Sequence, residues 1–310
     1  MLNYLLFILV IFLFYFPAHS QKKTFNGEIK MAIKVTSNCS GISDEEWKES
    51  FLYNDTCTHF HAGFKYKELF NEYTYYSLFD SKKDYTVFKN VDSLYQGWYN
   101  NNILNEDMII SRISIDTLVH GYKCYKLIIS SENSISEFTL LDSTIYDNGN
   151  YVYLDYVHKT PFYTVLSKAI NIDEKLINSQ IFDIPVLPIS PLKNASIYYS
   201  IYKVGEFTGG ASGWSNYING NAKMNLANKY IKIPDGQTTA MQSVKIIFAL
   251  DSNGKVVKSI VTNCSGTHPK LIKEALRLIN NSPNWINATY HNRSIPFLFS
   301  QKISFAITKE

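Results

Sequence analysis

The chain has 310 residues, a net charge of +3, 18% charged residues and 45% hydrophobic residues. That length exceeds one domain of about 100–200 residues and predicts two, while the apolar content excludes a largely disordered chain and the small charge leaves no nucleic-acid footprint. With 23 Tyr and 19 Phe against 14 Gly and 9 Pro, the composition favours pleated, half-buried strands and excludes collagen-like and long coiled-coil architectures.

At the amino terminus, residues 2–18 form an almost wholly apolar run, closed by Pro17 and followed by Ala18-His19-Ser20. This is the form of a signal-peptidase site and predicts a cleaved signal peptide over 1–20, with Gln21 as the new terminus. The strongly apolar stretch from Tyr4 to Phe16 is shorter than the ~20 residues that span a bilayer, so no stable membrane span is expected after cleavage. No Cys stands at the cleavage site, which argues against a lipid anchor.

From Phe25 to about Ile184 the pattern predicts strands with one early helix, which starts at Ser43-Asp44-Glu45-Glu46 with a capping Ser and acids near the positive end of the dipole. Residues 108–115 alternate as a strand, 122–130 return as its hairpin partner, and 136–141 and 151–157 continue an antiparallel meander. Three prolines between Pro185 and Pro191 mark a linker over 185–204, leaving domains at 25–184 and 205–310. In the second domain, 241–250 and 255–262 read as strands joined by the Asp251-Ser252-Asn253-Gly254 turn. Thr267-His268-Pro269 opens a helix with Leu271, Ile272, Ala275, Leu276, Leu278 and Ile279 on one face, and 295–307 supplies a last strand. The expected class is α+β: an antiparallel β-rich domain followed by a small ββαβ domain.

The four cysteines are Cys39, Cys57, Cys124 and Cys264. Cys39 and Cys57 stand in polar loop contexts and are the pair expected if a disulfide forms; four free thiols are an equal expectation. Cys57-Thr58-His59-Phe60-His61 is the one cluster of metal-ligating types, and His59 and His61 share a face if it is a strand. Zinc needs three or four convergent ligands, and no second dense cluster appears, so no metal is expected. Gly209-Gly210-Ala211-Ser212-Gly213 lacks the Gly-Lys-Ser/Thr ending of a phosphate loop and reads as a flexible entry loop. No nucleophile elbow or triad can be assigned, so neither catalysis nor a cofactor is expected. The alternating Tyr73-Thr-Tyr-Tyr76 and Tyr151-Val-Tyr-Leu-Asp-Tyr156 read as ordinary sheet packing.

Gly209-Gly210, Trp214, Tyr217-Ile218, the Asp-x-Asn-Gly turn with Asn253 and Gly254, Glu274-Ala275-Leu276-Arg277 and Pro283-Asn284-Trp285 together resemble, in order and spacing, the carboxy-terminal domain of TonB. The likeness is to the versions carried by envelope proteins of Bacteroidota, and it covers about 205–310. The motif residues are Trp214, Asn253, Gly254, Ala275, Pro283 and Trp285. The resemblance implies a ββαβ domain that takes an extended segment of an outer-membrane transport or envelope protein onto a sheet edge. Here that edge is the last strand, with Phe297, Phe299, Gln301 and Ile303 as its binding residues. In this chain the family's usual Pro and Gly after the Trp are Ile286-Asn287. Lys30 to Val35 and His120-Gly121-Tyr122-Lys123-Cys124-Tyr125-Lys126 resemble the exported GLPGLI family, which implies an antiparallel half-barrel. The expected protein is a periplasmic, non-enzymatic binding module. An energy transducer anchored in the inner membrane and facing the periplasm is the first alternative, although a ~60 Å linker is short for one. A lipid or glycan carrier is the second.

Overall fold

The computed structural model describes residues 25–63, 65–70, 73–78, 83–88, 94–98, 109–115, 118–142, 152–187, 189–191, 202–223 and 225–309. The segment expected to be a signal peptide, 1–20, lies outside them. The chain divides into two compact units, one of 1–36 and 51–197 and the other of 37–50 and 198–310. The early helix therefore belongs with the carboxy-terminal residues, and the proline-marked stretch is split between the units.

The first unit is one sheet of twelve strands. They are β1 (Asn26–Ser37), β2 (Thr56–Ala62), β3 (Lys65–Leu69), β4 (Tyr73–Leu78), β5 (Lys83–Phe88), β6 (Leu94–Trp98), β7 (Ile109–Ser114), β8 (Cys124–Ser131), β9 (Ser134–Leu141), β10 (Tyr153–Lys159), β11 (Tyr163–Glu174) and β12 (Ile189–Pro191). The order across the sheet is β12-β6-β5-β4-β3-β2-β1-β11-β10-β9-β8-β7. Both arms are meanders, and the join between β1 and β11 brings together segments far apart in sequence. The β12–β6 pair is parallel, so part of the expected linker is a strand of this sheet. Along β1 the side chains of Ile29, Met31, Ile33 and Val35 are buried in turn, the period of two that a half-buried strand requires. Gly27 has no room for a side chain, since a Cβ would meet the Asp173 carbonyl oxygen on β11. The sheet curls strongly. Tyr153 Oη on β10 lies 3.3 Å from His59 Nε2 on β2, although β1 and β11 separate these strands. A flat sheet would hold strands three places apart at about 14 Å.

The second unit has helices α1 (Asp44–Ser50), α2 (Gly210–Asn221), α3 (Asn225–Tyr230) and α4 (Pro269–Asn280). Its strands are β13 (Tyr202–Lys203), β14 (Thr239–Leu250), β15 (Val256–Asn263), β16 (Ala288–Tyr290), β17 (Arg293–Ile295) and β18 (Phe297–Thr308). They form two three-stranded sheets, β15-β14-β18 and β13-β16-β17. His268 caps α4 by accepting from the Lys270 N–H, and Pro269 takes the first turn, where a missing N–H costs nothing. Leu271, Ala275, Leu278 and Ile279 of α4 are fully buried with Val244, Ile246, Phe248 and Leu250 of β14. Each such aliphatic or aromatic side chain contributes about 1.5–3 kcal/mol over its exposed state.

The α+β class is corrected by this architecture. Antiparallel strands dominate the described chain and the helices are few and short, so the fold is mostly β. The helix at 269–280 is strongly amphipathic, but the Tyr- and Phe-rich strands carry most of the described structure. The expected small ββαβ domain is also too simple. The β16–β17 hairpin stands between α4 and β18, and α1 arrives from the amino-terminal third of the chain. The 209–213 glycine run is not an open loop, because Gly210 to Gly213 form the first turn of α2.

Candidate functional site

The second unit presents a strand edge. β14 is central, with β15 on one side and β18 on the other. Beside β15 lies the 37–50 segment. Lys258 Nζ donates to the Asn38 carbonyl at 2.8 Å, and a Cβ on Gly41 would lie 3.3 Å from Val257 Cγ1. Among the described residues, β18 pairs with β14 alone, in unbroken register from Thr239 opposite Thr308 to Leu250 opposite Phe297.

The direction of each backbone group follows from that register. Lys309 N–H donates to the Thr238 carbonyl at 2.8 Å, one step beyond the Thr239–Thr308 pair. Antiparallel pairs alternate between hydrogen-bonded and non-hydrogen-bonded. Residues 297, 299, 301, 303, 305 and 307 therefore bond inward to β14, while Leu298, Ser300, Lys302, Ser304, Ala306 and Thr308 point N–H and C=O outward. The four expected binding residues belong to the wrong set. Phe297 and Ile303 are buried, and Phe299 packs against the core with Trp285 and Phe248. Gln301 lies on the same inward face, opposite Ile246. The exposed face instead carries Ser300, Lys302, Ser304 and Ala306. Lys302 stands directly opposite Lys245, also exposed, and among the described residues no carboxylate forms an ion pair with either.

The motif residues converge behind this edge. Trp285 is buried against Phe207, Trp214, Phe248 and Phe299; its backbone N–H donates to the Gly254 carbonyl at 2.8 Å and its indole Nε1 to Ser282 Oγ at 2.9 Å. Gly254 has φ +78, and a Cβ there would collide with the Trp285 carbonyl oxygen, so only glycine fits. Asn284 Nδ2 reaches the Asn253 carbonyl at 3.4 Å. Ala275 is fully buried and Pro283 is exposed. These residues hold the sheet in shape and do not themselves form a binding surface.

The first unit holds a second concentration of chemistry, inside the curl of the large sheet. Cys57 and His59 alternate on β2, and Glu68 lies opposite His59 on β3. Cys57 Sγ is 3.3 Å from His59 Nε2, which is 2.9 Å from Glu68 Oε1, and Sγ is 3.9 Å from the same carboxylate oxygen. All three residues are buried, as is His61. The sequence reading found Cys57 and His59 but missed Glu68, because only strand pairing brings a residue eleven positions away onto the cluster. Of the two alternatives for the cysteines, a Cys39–Cys57 pair or four free thiols, the structure has all four free. Nor is this a nucleophilic triad. Sulfur and carboxylate converge on one imidazole nitrogen, whereas a base and its orienting acid need opposite nitrogens. Burial pushes the Cys57 thiol up, and the Glu68 carboxylate beside it pushes in the same direction, which keeps the sulfur protonated and unreactive.

No protein-family model matches the chain, and no curated protein matches it. Among solved structures it is similar to PNGF-II in two crystal forms. The P21 form is 10% identical over 74% of this chain and 45% of that one, with a TM-score of 0.36. The C2 form is 10% identical over 74% and 44%, with a TM-score of 0.30. An outer membrane lipoprotein-sorting protein domain from Vibrio parahaemolyticus is 5% identical over 51% of this chain and 89% of that one, with a TM-score of 0.25. The chain thus spans less than half the length of PNGF-II. Likenesses this distant bear on neither the strand edge nor the buried cluster. No helix among the described residues is long and apolar enough to cross a membrane.

Proposed function

We propose that this protein is an exported, non-enzymatic binding protein of the bacterial envelope that takes an extended segment of an outer-membrane transport protein onto the outer edge of β18. The observation that carries the reading is the run of alternate outward-facing backbone groups from Leu298 to Thr308, on a strand paired along its other side with β14. Such an edge templates another strand: main-chain hydrogen bonds give affinity, and alternate side chains give selectivity. The motif order from Gly209 to Trp285 suggests transport proteins as the partner class. Lys245 and Lys302 refine the choice. Like charges directly opposite one another across a sheet are unfavourable, so a segment with an acidic residue against Lys302 relieves them.

The test uses two prolines one residue apart. Ser300→Pro removes an outward N–H and leaves the β14 ladder whole, whereas Gln301→Pro removes an inward bond and destabilises the sheet by about 1–3 kcal/mol. Extended, acid-containing peptides from the periplasmic segments of outer-membrane transport proteins are added to the full chain, and amide exchange is followed. The expected outcome is slowed exchange at Leu298, Ser300, Lys302, Ser304 and Ala306, lost in a folded Ser300→Pro variant. Binding that survives in folded Ser300→Pro, or peptide protection that leaves these amides untouched, would sink the proposal.

A further inference from the structure

The cluster inside the large sheet has the donor chemistry of a metal centre. It brings together one thiol, one imidazole and one carboxylate, from Cys57 and His59 on β2 and Glu68 on β3, with their ligand atoms all within 4.8 Å of one another. Tetrahedral zinc, with sulfur at about 2.3 Å and nitrogen or oxygen at about 2.0–2.2 Å, spaces its ligands about 3.4–3.6 Å apart. The observed spacings of 3.3, 2.9 and 3.9 Å bracket that value, so small side-chain movements suffice to close around an ion. Sulfur, nitrogen and oxygen donors together suit a borderline cation such as zinc better than the hard, all-oxygen cations.

One further observation points to a bound cation. Glu68 is buried; the Tyr66 hydroxyl also hydrogen-bonds it, but among the described residues its ion-pair partner is His59 alone, with no Lys or Arg. A buried carboxylate is costly unless it is well paired or coordinates a metal. The surroundings are also short of protein partners. His59 Nδ1 and both ring nitrogens of His61 are buried and meet no hydrogen-bond partner among the described residues. His61 is 1% exposed, and its ring centroid lies 6.4 Å from that of His59. An ion on His59 Nε2 does not reach these nitrogens; they mark a buried, polar surrounding and are not ligands of the cluster.

We infer that Cys57, His59 and Glu68 bind one zinc(II) ion, with the Tyr153 hydroxyl, 3.3 Å from His59 Nε2, beside the fourth position. On binding, the Cys57 thiol gives its proton to solvent and the sulfur coordinates as thiolate; no electrons move. The site clips β2 to β3 and, through Tyr153, faces β10. Because its ligands are buried, the ion enters as the unit folds. This inference stands whether or not β18 captures a peptide, since the two features lie in different units.

The full chain, refolded from denaturant under reducing conditions after chelator treatment, is titrated with cobalt(II) and then zinc(II). The expected result is one cobalt per chain with a thiolate-to-cobalt charge-transfer band, displaced by zinc. The band vanishes in Cys57→Ser and persists in Cys264→Ser. Glu68→Gln weakens zinc binding by at least about 10–100-fold, the loss usual when even an outer partner of a ligand is removed. If Cys57→Ser fails to fold, the unaltered chain decides by alkylation. Zinc slows modification of Cys57 in mild denaturant and leaves the rate at Cys264 unchanged. A folded natural chain with no thiolate band, a band that persists in folded Cys57→Ser, or equal alkylation of Cys57 with and without zinc would overturn the assignment.

Discussion

Each unit buries a glutamate, and the two are served very differently. Glu274 in the second unit, 4% exposed, accepts from the Lys223 N–H at 3.0 Å and from Arg277 Nε and Nη2 at 2.8 and 2.7 Å. The Arg277 hydrogen bonds, ahead of the cost of burial, hold its carboxyl below the usual range. Glu68 in the first unit is buried as well, but it shares one imidazole with a thiol, and its other partner is the uncharged Tyr66 hydroxyl. A carboxylate ringed by donors is structural: it ties α4 to the end of α2, where Arg277 also donates to the Asn221 carbonyl. A carboxylate left with ligand-type neighbours is where a function has to be sought.

The largest expected effect sharpens that contrast from the satisfied side. Arg277→Met strips Glu274 of its charged partner and should cost the second unit about 3 kcal/mol, the low end for a broken buried pair because the Arg side chain is a third exposed. Urea unfolding followed by amide exchange should place the loss in residues 198–310; an unchanged midpoint there would mean the network contributes little.

Acid should separate the units next. Burial holds His158 down to about 4 in the folded state, 6% exposed with Ser136 Oγ 2.9 Å from Nδ1. The unfolded chain takes up this proton below its ordinary value of about 6.5 and the folded one does not. Stability is therefore full above pH 6.5 and falls as pH drops towards 4, by about 3 kcal/mol for this group. Glu274, with its folded pKa lowered, keeps its contribution until pH falls below the ordinary carboxyl range near 4.5. The first unit should weaken between pH 6.5 and 4.5 while the second holds; buried His61, also held well down by burial, adds to the fall, so His158→Phe should lessen that slope without abolishing it. Parallel weakening of both units over this window would refute the assignment.

A smaller effect tests which unit owns α1. Ser43 and Glu46 form a reciprocal cap: Glu46 Oε2 accepts from the Ser43 N–H at 2.8 Å, and Ser43 Oγ accepts from the Glu46 N–H at 3.2 Å. Glu46 also accepts from Ser252, and Glu49 pairs with Arg293. Ser43→Ala should cost about 1 kcal/mol, and hydrogen exchange should register it in the second unit although the residue lies early in the chain.

What the sequence made legible was local. The Asp251–Gly254 turn, the stripe and cap of the helix at 269–280 and the β7–β8 hairpin follow from spacing within a dozen residues. What escaped it was pairing between distant segments: β1 beside β11, α1 among carboxy-terminal residues, and Glu68 beside Cys57 and His59. The inward set on β18 was readable in principle. Phe297, Phe299, Ile303 and Phe305 alternate as a core face does, which leaves Ser300, Lys302 and Ser304 as the outer set. The class was misjudged for the opposite reason, because a vivid local helix outweighed many quieter strands.

The 37–50 excursion has a consequence for how the protein is made. The ion pair between Glu49 and Arg293 closes a separation of 244 residues, and β14 cannot complete its sheet until β18 exists. On the ribosome this early segment emerges long before its carboxy-terminal partners Ser252, Lys258 and Arg293, while its flanks, β1 and β2, are partners of each other. It must wait as an unattached loop on a nascent sheet. The second unit is thus assembled from an early and a late piece of the chain, and a fragment beginning at residue 198 would lack one of its own helices.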